Sequence, residues 1–501
     1  MHRKNAVYKA GSYLAISVIS LLIVPALVDT LGLELYGIIG LFNSFLYYIS
    51  LVTIAFTSTF SRNLLFSMER KEKANIEYST NIFSISILFV VVTPIVYFSI
   101  PNILMLLSIP DKYYNESRML FLAVYISFVI SVYASIYSSV YIIKNRLDLQ
   151  SISNLISKIV LFILVMSYVV NSEVPVEIYS RSIFISALAL ILVNYVIFKS
   201  SFRSLRFRQK DVKLSSLKNN IRLSGWMFVN QIGSILMLQV PIYFVAVFIG
   251  YYSLGIYNIV LVIVTQIRLI GTLCSSIFEP TIFKLVAQGK RKEASQVINF
   301  ASFVLGFVSS IIVGVFIGSN EYFFDVWLSS YDENIIKIAV FSTVYLPLSV
   351  ISNPFWSYLI ANKSLALNSI ATIIFGVVNF IILAVIEYTI GLNIYTVIIC
   401  SSLVLLAKNV IYLPLHMVRF GFGKRNFYSS VVSSLVVMGL VVLLTKLIFG
   451  FIEPSGLLMT LFSYSIVGVV TILSSILLWF MMPKNSLVKV TFGHFSKMKI
   501  H

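Results

Sequence analysis

The sequence predicts an all-α membrane protein with about fourteen transmembrane helices, and three observations predict it. Only 11% of the 501 residues are charged, where a water-soluble chain needs roughly 25% to cover its surface. Apolar stretches of about 20 residues, each long enough to cross a bilayer as a helix, recur from end to end. The basic residues gather in alternate connections between those stretches, the bias that orients a polytopic protein in its membrane. A mean hydropathy of +0.95 agrees with all three.

In chain order the predicted spans are 11–31, 35–60, 80–100, 118–143, 151–171, 178–199, 221–249, 254–280, 297–318, 335–361, 366–388, 392–414, 428–450 and 457–482. The first follows a basic start, Met1-His2-Arg3-Lys4, and is read as a span because it is long and lacks the small-residue site of a cleaved signal. With the N-terminus inside, and charges at span ends counted with the adjoining loop, 29 Lys and Arg fall on cytoplasmic segments, 4 on outside loops and 4 within spans. Omitting one span would exchange every loop downstream and erase that bias, so both termini are expected in the cytoplasm. The acids lean outward, at Asp29, Glu34, Glu173, Glu177, Glu321, Asp325, Asp332 and Glu333. The net charge of +18 is therefore a topology signal rather than a nucleic-acid patch, and no nucleic-acid partner is expected. Cys274 and Cys400 both lie in apolar segments without a CxxC partner, which speaks for neither a disulfide nor a metal site.

The organisation reads as an N-terminal six-helix lobe (1–200), a basic cytoplasmic linker (201–220), a second six-helix lobe (221–414), and two additional helices with a cytoplasmic tail (415–501). Pro25 precedes Leu35-Tyr36-Gly37-Ile38, and Pro241 precedes Ser253-Leu254-Gly255-Ile256, with proline-to-glycine spacings of 12 and 14. Six spans is an even number, so such halves run parallel, related by an axis along the membrane normal. Pro25 and Pro241 are candidate hinges beside a central pathway, although prolines are also common in membrane helices.

No HExxH, GxSxG, P-loop or dinucleotide fingerprint is present, none of the four histidines is mid-span, and no enzyme, metal or cofactor is expected. The informative residues are cations inside spans. Placing Lys or Arg at a helix centre costs about 2.5–3.5 kcal/mol, so such residues face a cavity or a partner. Arg268 is near the middle of its span and Lys408 in the second half of its own. Lys158 reads either as a cavity cation or as a snorkelling one, and Lys446, near a span end, as snorkelling. The nearest acid on Arg268's helix is Glu279, eleven residues and about 16 Å away. An unpaired buried cation suggests an anionic substrate. Asn230, Gln239, Asn258 and Gln266 are polar candidates for the same pathway. Tyr125, Tyr133, Tyr137 and Tyr141 share a slowly drifting helix face, which reads as packing between helices or as a stripe that stacks on sugar rings, with Tyr137 the candidate ligand.

On the basic N-terminus, the Leu31-Gly32-Leu33-Glu34-Leu35-Tyr36-Gly37 segment, its echo Leu254-Gly255-Ile256-Tyr257 and the basic loop between six-span halves, the chain resembles the Wzx-type polysaccharide (O-antigen) flippases. Their superfamily includes multidrug (MATE) exporters and lipid II flippases. The resemblance implies two parallel six-helix lobes around a central cavity that opens alternately to each side. It also implies a substrate of undecaprenyl diphosphate carrying a short oligosaccharide, such as a lipopolysaccharide O-antigen unit. Implied, too, are a bacterial inner-membrane location, contact with membrane lipids, and a polysaccharide polymerase and chain-length regulator as partners. Cations lining the cavity belong to the same expectation, matched here by Arg268 and Lys408, with Lys408 expected from the opposite lobe or its last helix.

Overall fold

The computed structural model describes residues 2–57, 64, 71–142, 146–201, 205–213, 226, 228–454 and 456–481, and every regular element among them is helical. In chain order these are α1 (His2–Thr57), α2 (Lys71–Leu106), α3 (Tyr114–Ser139), α4 (Leu147–Leu164), α5 (Pro175–Ser201), α6 (Phe228–Ile249), α7 (Tyr251–Ser276), α8 (Glu279–Ala287), α9 (Arg291–Gly318), α10 (Asn320–Trp327), α11 (Asn334–Thr343), α12 (Leu346–Val350), α13 (Asn353–Ala361), α14 (Leu365–Ile390), α15 (Ile394–Leu406), α16 (Leu413–Val418), α17 (Lys424–Ile452) and α18 (Leu457–Met481).

Among the described residues 11 helices are long and apolar enough to cross a membrane, or 12 if the bent pair Asn334–Val350 and Asn353–Ala361 forms one span. The expected count of fourteen is not confirmed. Part of the shortfall lies in α1, where Gly11–Tyr47 counts as a single helix although Gly32 breaks it with φ 79° and ψ 163°. That backbone conformation is open to glycine and strained for any residue with a Cβ. The last apolar helix is counted only over Leu457–Thr471. The end of the second predicted span (58–60) and the predicted cytoplasmic tail from 482 onward lie outside the described residues.

The chain forms two compact units, 1–258 and 259–501, divided within α7. Half of the linker predicted at 201–220, residues 202–204 and 214–220, lies outside the described residues. Its described part is strapped to the start of α2: the amides of Arg206, Arg208 and Lys213 donate to the Asn75, Ser79 and Thr80 side chains at 3.1, 3.0 and 3.0 Å. Backbone donors that leave a helix thus find acceptors without a soluble domain.

In unit 1 the tyrosine face of α3 holds its neighbours together. Tyr125 bonds Thr93 at 2.8 Å, Tyr133 donates to Ser86 at 2.9 Å, and Tyr141 donates to the Asn194 carbonyl at 2.8 Å. Three of the four hydroxyls are therefore committed to α2 and α5, because a buried hydroxyl without a partner is costly in an apolar surround.

In unit 2 the corresponding adhesive is small residues. Along α9, Ser302, Gly306, Ser310, Gly314 and Gly318 recur at every fourth position, which keeps them on one helix face. That face receives α17. A β-carbon on Gly314 would stand 2.9 Å from Val441 Cβ, and one on Gly318 2.6 Å from Thr445 Cβ. Ser310 and Ser434 share a hydrogen bond across the seam. Lipid is as apolar as leucine, so close backbone approach rather than hydrophobicity holds such a pair, and small residues permit it.

Candidate functional site

The polar centre of unit 2 is built on a broken span. Pro347 and Pro354 stand at the first turns of α12 and α13. A proline lacks the N–H of a helical residue and its ring presses on the carbonyl four residues earlier, here Thr343 and Val350. The helix accordingly interrupts around Tyr345 and again before Asn353, where the two segments bend by 42°. Such breaks turn polar groups towards the protein interior, the place in a membrane where they can be satisfied.

Two other elements meet this broken span. Helix α7 lies directly on it, since a β-carbon on Gly271 would stand 2.8 Å from Val350 Cγ1. About one turn earlier, the half-buried Arg268 donates from Nη2 to the Tyr345 hydroxyl, and its guanidinium carbon is 5.9 Å from the Tyr345 ring centroid. From the other side, Asn409 Nδ2 donates to Ser349 Oγ at 2.8 Å. Asn409 follows Lys408 in a π-helical turn, Ala407–Tyr412, just ahead of Pro414. The wider turn relieves the clash that Pro414 would impose on a regular helix, and such bulges recur at functional sites. Tyr345 and Ser349 are one turn apart on the same span, so Arg268 and Asn409 both reach the stretch that runs from Tyr345 into α12.

Neither Arg268 nor Lys408 makes an ion pair among the described residues, and Lys408 makes no hydrogen bond there. Glu279, the nearest acid on that stretch of chain, accepts from Ser357 at 3.1 Å. The Arg268 guanidinium on this strip has no carboxylate as an ion-pair partner among the described residues. Gln266 is two residues from Arg268, about 200° around the helix, and cannot share its face.

The remaining sequence candidates lie in unit 1. Lys158 on α4 is half-buried and has no hydrogen-bond or ion-pair partner among the described residues, while its neighbour Ser157 ties α4 to the Ser186 carbonyl of α5 at 2.8 Å. Tyr137 packs its ring against Tyr195 and Phe198, at centroid distances of 5.7 and 5.2 Å. Asn230 is on α6, and Gln239 sits where α6 breaks, its Oε1 buried without a donor. Pro241 stands at that break, two residues on. Helix α1, by contrast, runs helically through Pro25 and breaks only at Gly32.

A recess of about 790 Å³ elsewhere in unit 2 has the opposite character, lined by Glu321, Asp325, Tyr331, Asp332, Glu333 and Lys337. Tyr331 donates to Asp325 at 2.6 Å. Burial, that hydrogen bond and the surrounding carboxylates push its phenol up to about 12. Four carboxylates in this recess repel an anion.

The family model described as "Polysaccharide biosynthesis protein" matches residues 2–286, more than half of the chain. The chain belongs to that family. As a polysaccharide biosynthesis protein it is 22% identical over 424 residues to the uncharacterized membrane protein EpsK of Bacillus subtilis (strain 168), a match covering 83% of each chain. Its fold matches the lipid II flippase MurJ in an inward closed conformation with a TM-score of 0.66 at 15% identity, over 94% of this chain and 100% of that one. An inward-facing multidrug MATE transporter of the MOP superfamily matches equally, 0.66 at 15% identity over 83% and 98%. This polysaccharide biosynthesis protein therefore has the MATE- and MurJ-like membrane fold that its sequence led one to expect.

Arg268 and Lys408 are legible in sequence as costly mid-span cations. Tyr345 and Ser349 are not, being ordinary membrane residues, yet Pro347 and Pro354 within one predicted span mark the break that holds them.

Proposed function

We propose that this protein carries an undecaprenyl-diphosphate-linked oligosaccharide, an O-antigen-type repeat unit, across the bacterial inner membrane by alternating access, with both termini in the cytoplasm. It moves its substrate and catalyses no reaction. Arg268 takes the diphosphate, Tyr345 orients the guanidinium, and Lys408 adds a second positive charge along the same strip. The glycan emerges outside for a polymerase and a chain-length regulator to use.

The observation that carries this reading is a mid-span arginine whose hydrogen-bond partner is a neutral hydroxyl, that of Tyr345. A guanidinium offers five donors in a planar fork, and one hydrogen bond to Tyr345 leaves the others for two phosphate oxygens. A diphosphate carries about two negative charges that cannot cross hydrocarbon bare, and a cationic, hydrated surface lowers that barrier. The polyprenyl tail stays in the lipid. Outward movement of each negative charge from a negative interior is favoured by about 2.3 kcal/mol per 100 mV, so the potential alone can drive net flipping.

The same fold also serves the multidrug MATE transporter. Export of a cationic drug in exchange for protons or sodium calls for a carboxylate at the site, and Arg268 and Lys408 have none as an ion-pair partner among the described residues. Lipid II shares the diphosphate and remains the closer rival substrate. The test is surface-polysaccharide display in a flippase-null strain. Arg268→Ala is expected to lower display at least tenfold, and Arg268→Lys severalfold, both at normal membrane abundance by blot. Full display by Arg268→Ala would overturn the reading.

A further inference from the structure

Unit 1 contains a crossing of two helices that repeats itself. Gly250, with φ 115° and ψ 167°, precedes α7 in nearly the backbone conformation that Gly32 adopts within α1. Five residues after each comes a second glycine, Gly37 and Gly255. These two face one another. A β-carbon on Gly37 would stand 2.5 Å from the Tyr251 carbonyl oxygen and 3.0 Å from the Gly255 nitrogen, while one on Gly255 would overlap the Leu33 carbonyl. Tyr251 is four residues before Gly255, and Leu33 is four before Gly37, so the contact is reciprocal.

One offset, 218 residues, relates Gly32 to Gly250, Leu33 to Tyr251, Gly37 to Gly255 and Gly40 to Asn258. The last pair also meets: a β-carbon on Gly40 would overlap the Asn258 amide, which is 6% exposed and donates to the Gly37 carbonyl at 3.1 Å. Gly37 meets its counterpart Gly255, Gly40 meets its counterpart Asn258, and the Gly37–Tyr251 contact is mirrored by Gly255–Leu33, the signature of a two-fold axis passing between Gly37 and Gly255.

We propose that this crossing is the seal of the transport path on the side that carries Glu34 and Lys112, and that Asn258 is its latch. The proposal rests on the alternating-access reading above. A contact on the axis that relates two halves is made by equivalent residues from each, so both close on it at once. Two glycines let the helices meet backbone to backbone, leaving no gap for water and no side chain that must unpack on opening. One amide hydrogen bond, Asn258 to Gly37, fastens the contact, and Gly40 supplies the room for that amide. The glycine breaks at 32 and 250 free the segments before each helix to swing without bending it. One outer tie to α7 completes the closure, the Tyr251 hydroxyl donating to the Leu107 carbonyl, while Lys112 pairs with Glu34 at 2.6 Å beside it within the first lobe.

The test starts from a background in which Cys274 and Cys400 are serine. In Gly40→Cys/Asn258→Cys the two β-carbons fall within reach of a disulfide, whose Cβ atoms are about 3.5–4.5 Å apart. Oxidation is expected to form the bond, seen as loss of both free thiols, and to lower glycan display or flipping in vesicles at least tenfold, with reduction restoring it. Failure of the disulfide to form, or undiminished flipping by the cross-linked protein, overturns the proposal. A second arm needs no substrate. Ser44→Cys, one turn beyond Gly40 and buried beside it, is expected to resist a membrane-impermeant maleimide added outside, and to react at least tenfold faster when Gly255→Leu is added. Equal labelling with and without Gly255→Leu overturns the seal. If the substrate reading alone is wrong, the labelling difference persists while glycan display stays absent in the reduced protein as well.

Discussion

Two helix pairs in this protein meet through glycine, and they meet in different ways. In unit 1, α1 and α7 touch around Gly37 and Gly255, with a broken backbone at Gly32 and Gly250 beside the contact. In unit 2, α9 and α17 run together from Ser302 to Gly318, with no break in either helix. Glycine brings backbones together in both. The length of the contact and the state of the flanking backbone decide whether the result is a joint or a weld. A contact about one turn long, fastened by one side-chain hydrogen bond, can part and re-form. A seam of five small residues over four turns cannot part without exposing a stripe of packed backbone to lipid.

The comparison breaks most visibly under one substitution made in both places. Gly314→Leu is expected to abolish folded protein, because its side chain must displace Val441 in a seam with no slack, a cost of about 3 kcal/mol or more. Gly37→Leu is expected to leave membrane abundance within twofold while the crossing opens. The measurement is monodisperse yield after detergent extraction, and equal losses for the two variants would erase the distinction. Asn258→Ala sharpens it with a smaller effect. It removes one membrane hydrogen bond, worth about 0.6 kcal/mol, and so raises the open population about threefold, read as the labelling rate of Ser44→Cys. A change below 1.5-fold would mean that the glycine contact holds without its latch.

Much of the architecture was open to reading before any coordinates. Basic asymmetry and apolar length place nearly every helix, because lipid penalises charge and unsatisfied backbone so heavily that sequence must record where the membrane lies. The echo between Leu35–Ile38 and Leu254–Tyr257 was visible too, but not that the two segments touch each other, since periodicity tells which face is small and not what lies opposite. The prolines misled about the register of the echo. Pro25 and Pro241 stand 216 residues apart, whereas the glycines that break the backbone stand 218 apart. Helix α1 absorbs Pro25, while Gly32 takes up a conformation that proline and most other residues cannot. The α9 seam was equally present in the sequence as small residues at every fourth position, and went unread because scattered glycine and serine in membrane spans look unspecific.

The candidate site was legible by halves. Arg268 declared itself because an arginine in mid-span is expensive. Its partner Tyr345 lies 77 residues away on a different helix and carries no signal of its own. Gln266, a polar candidate for the same pathway, sits on a part of the helix turned away from Arg268.

The account turns on Arg268 as the residue that receives a diphosphate, and binding tests this without the rest of the transport cycle. Purified protein in lipid nanodiscs is titrated with undecaprenyl diphosphate and, separately, with undecaprenol, which shares the tail and lacks the charge. Arg268→Ala is expected to weaken diphosphate binding at least tenfold, about 1.4 kcal/mol, and to leave undecaprenol binding unchanged. Equal diphosphate affinity for Arg268→Ala and the unaltered protein would contradict the account and leave Arg268 as a structural cation held by Tyr345.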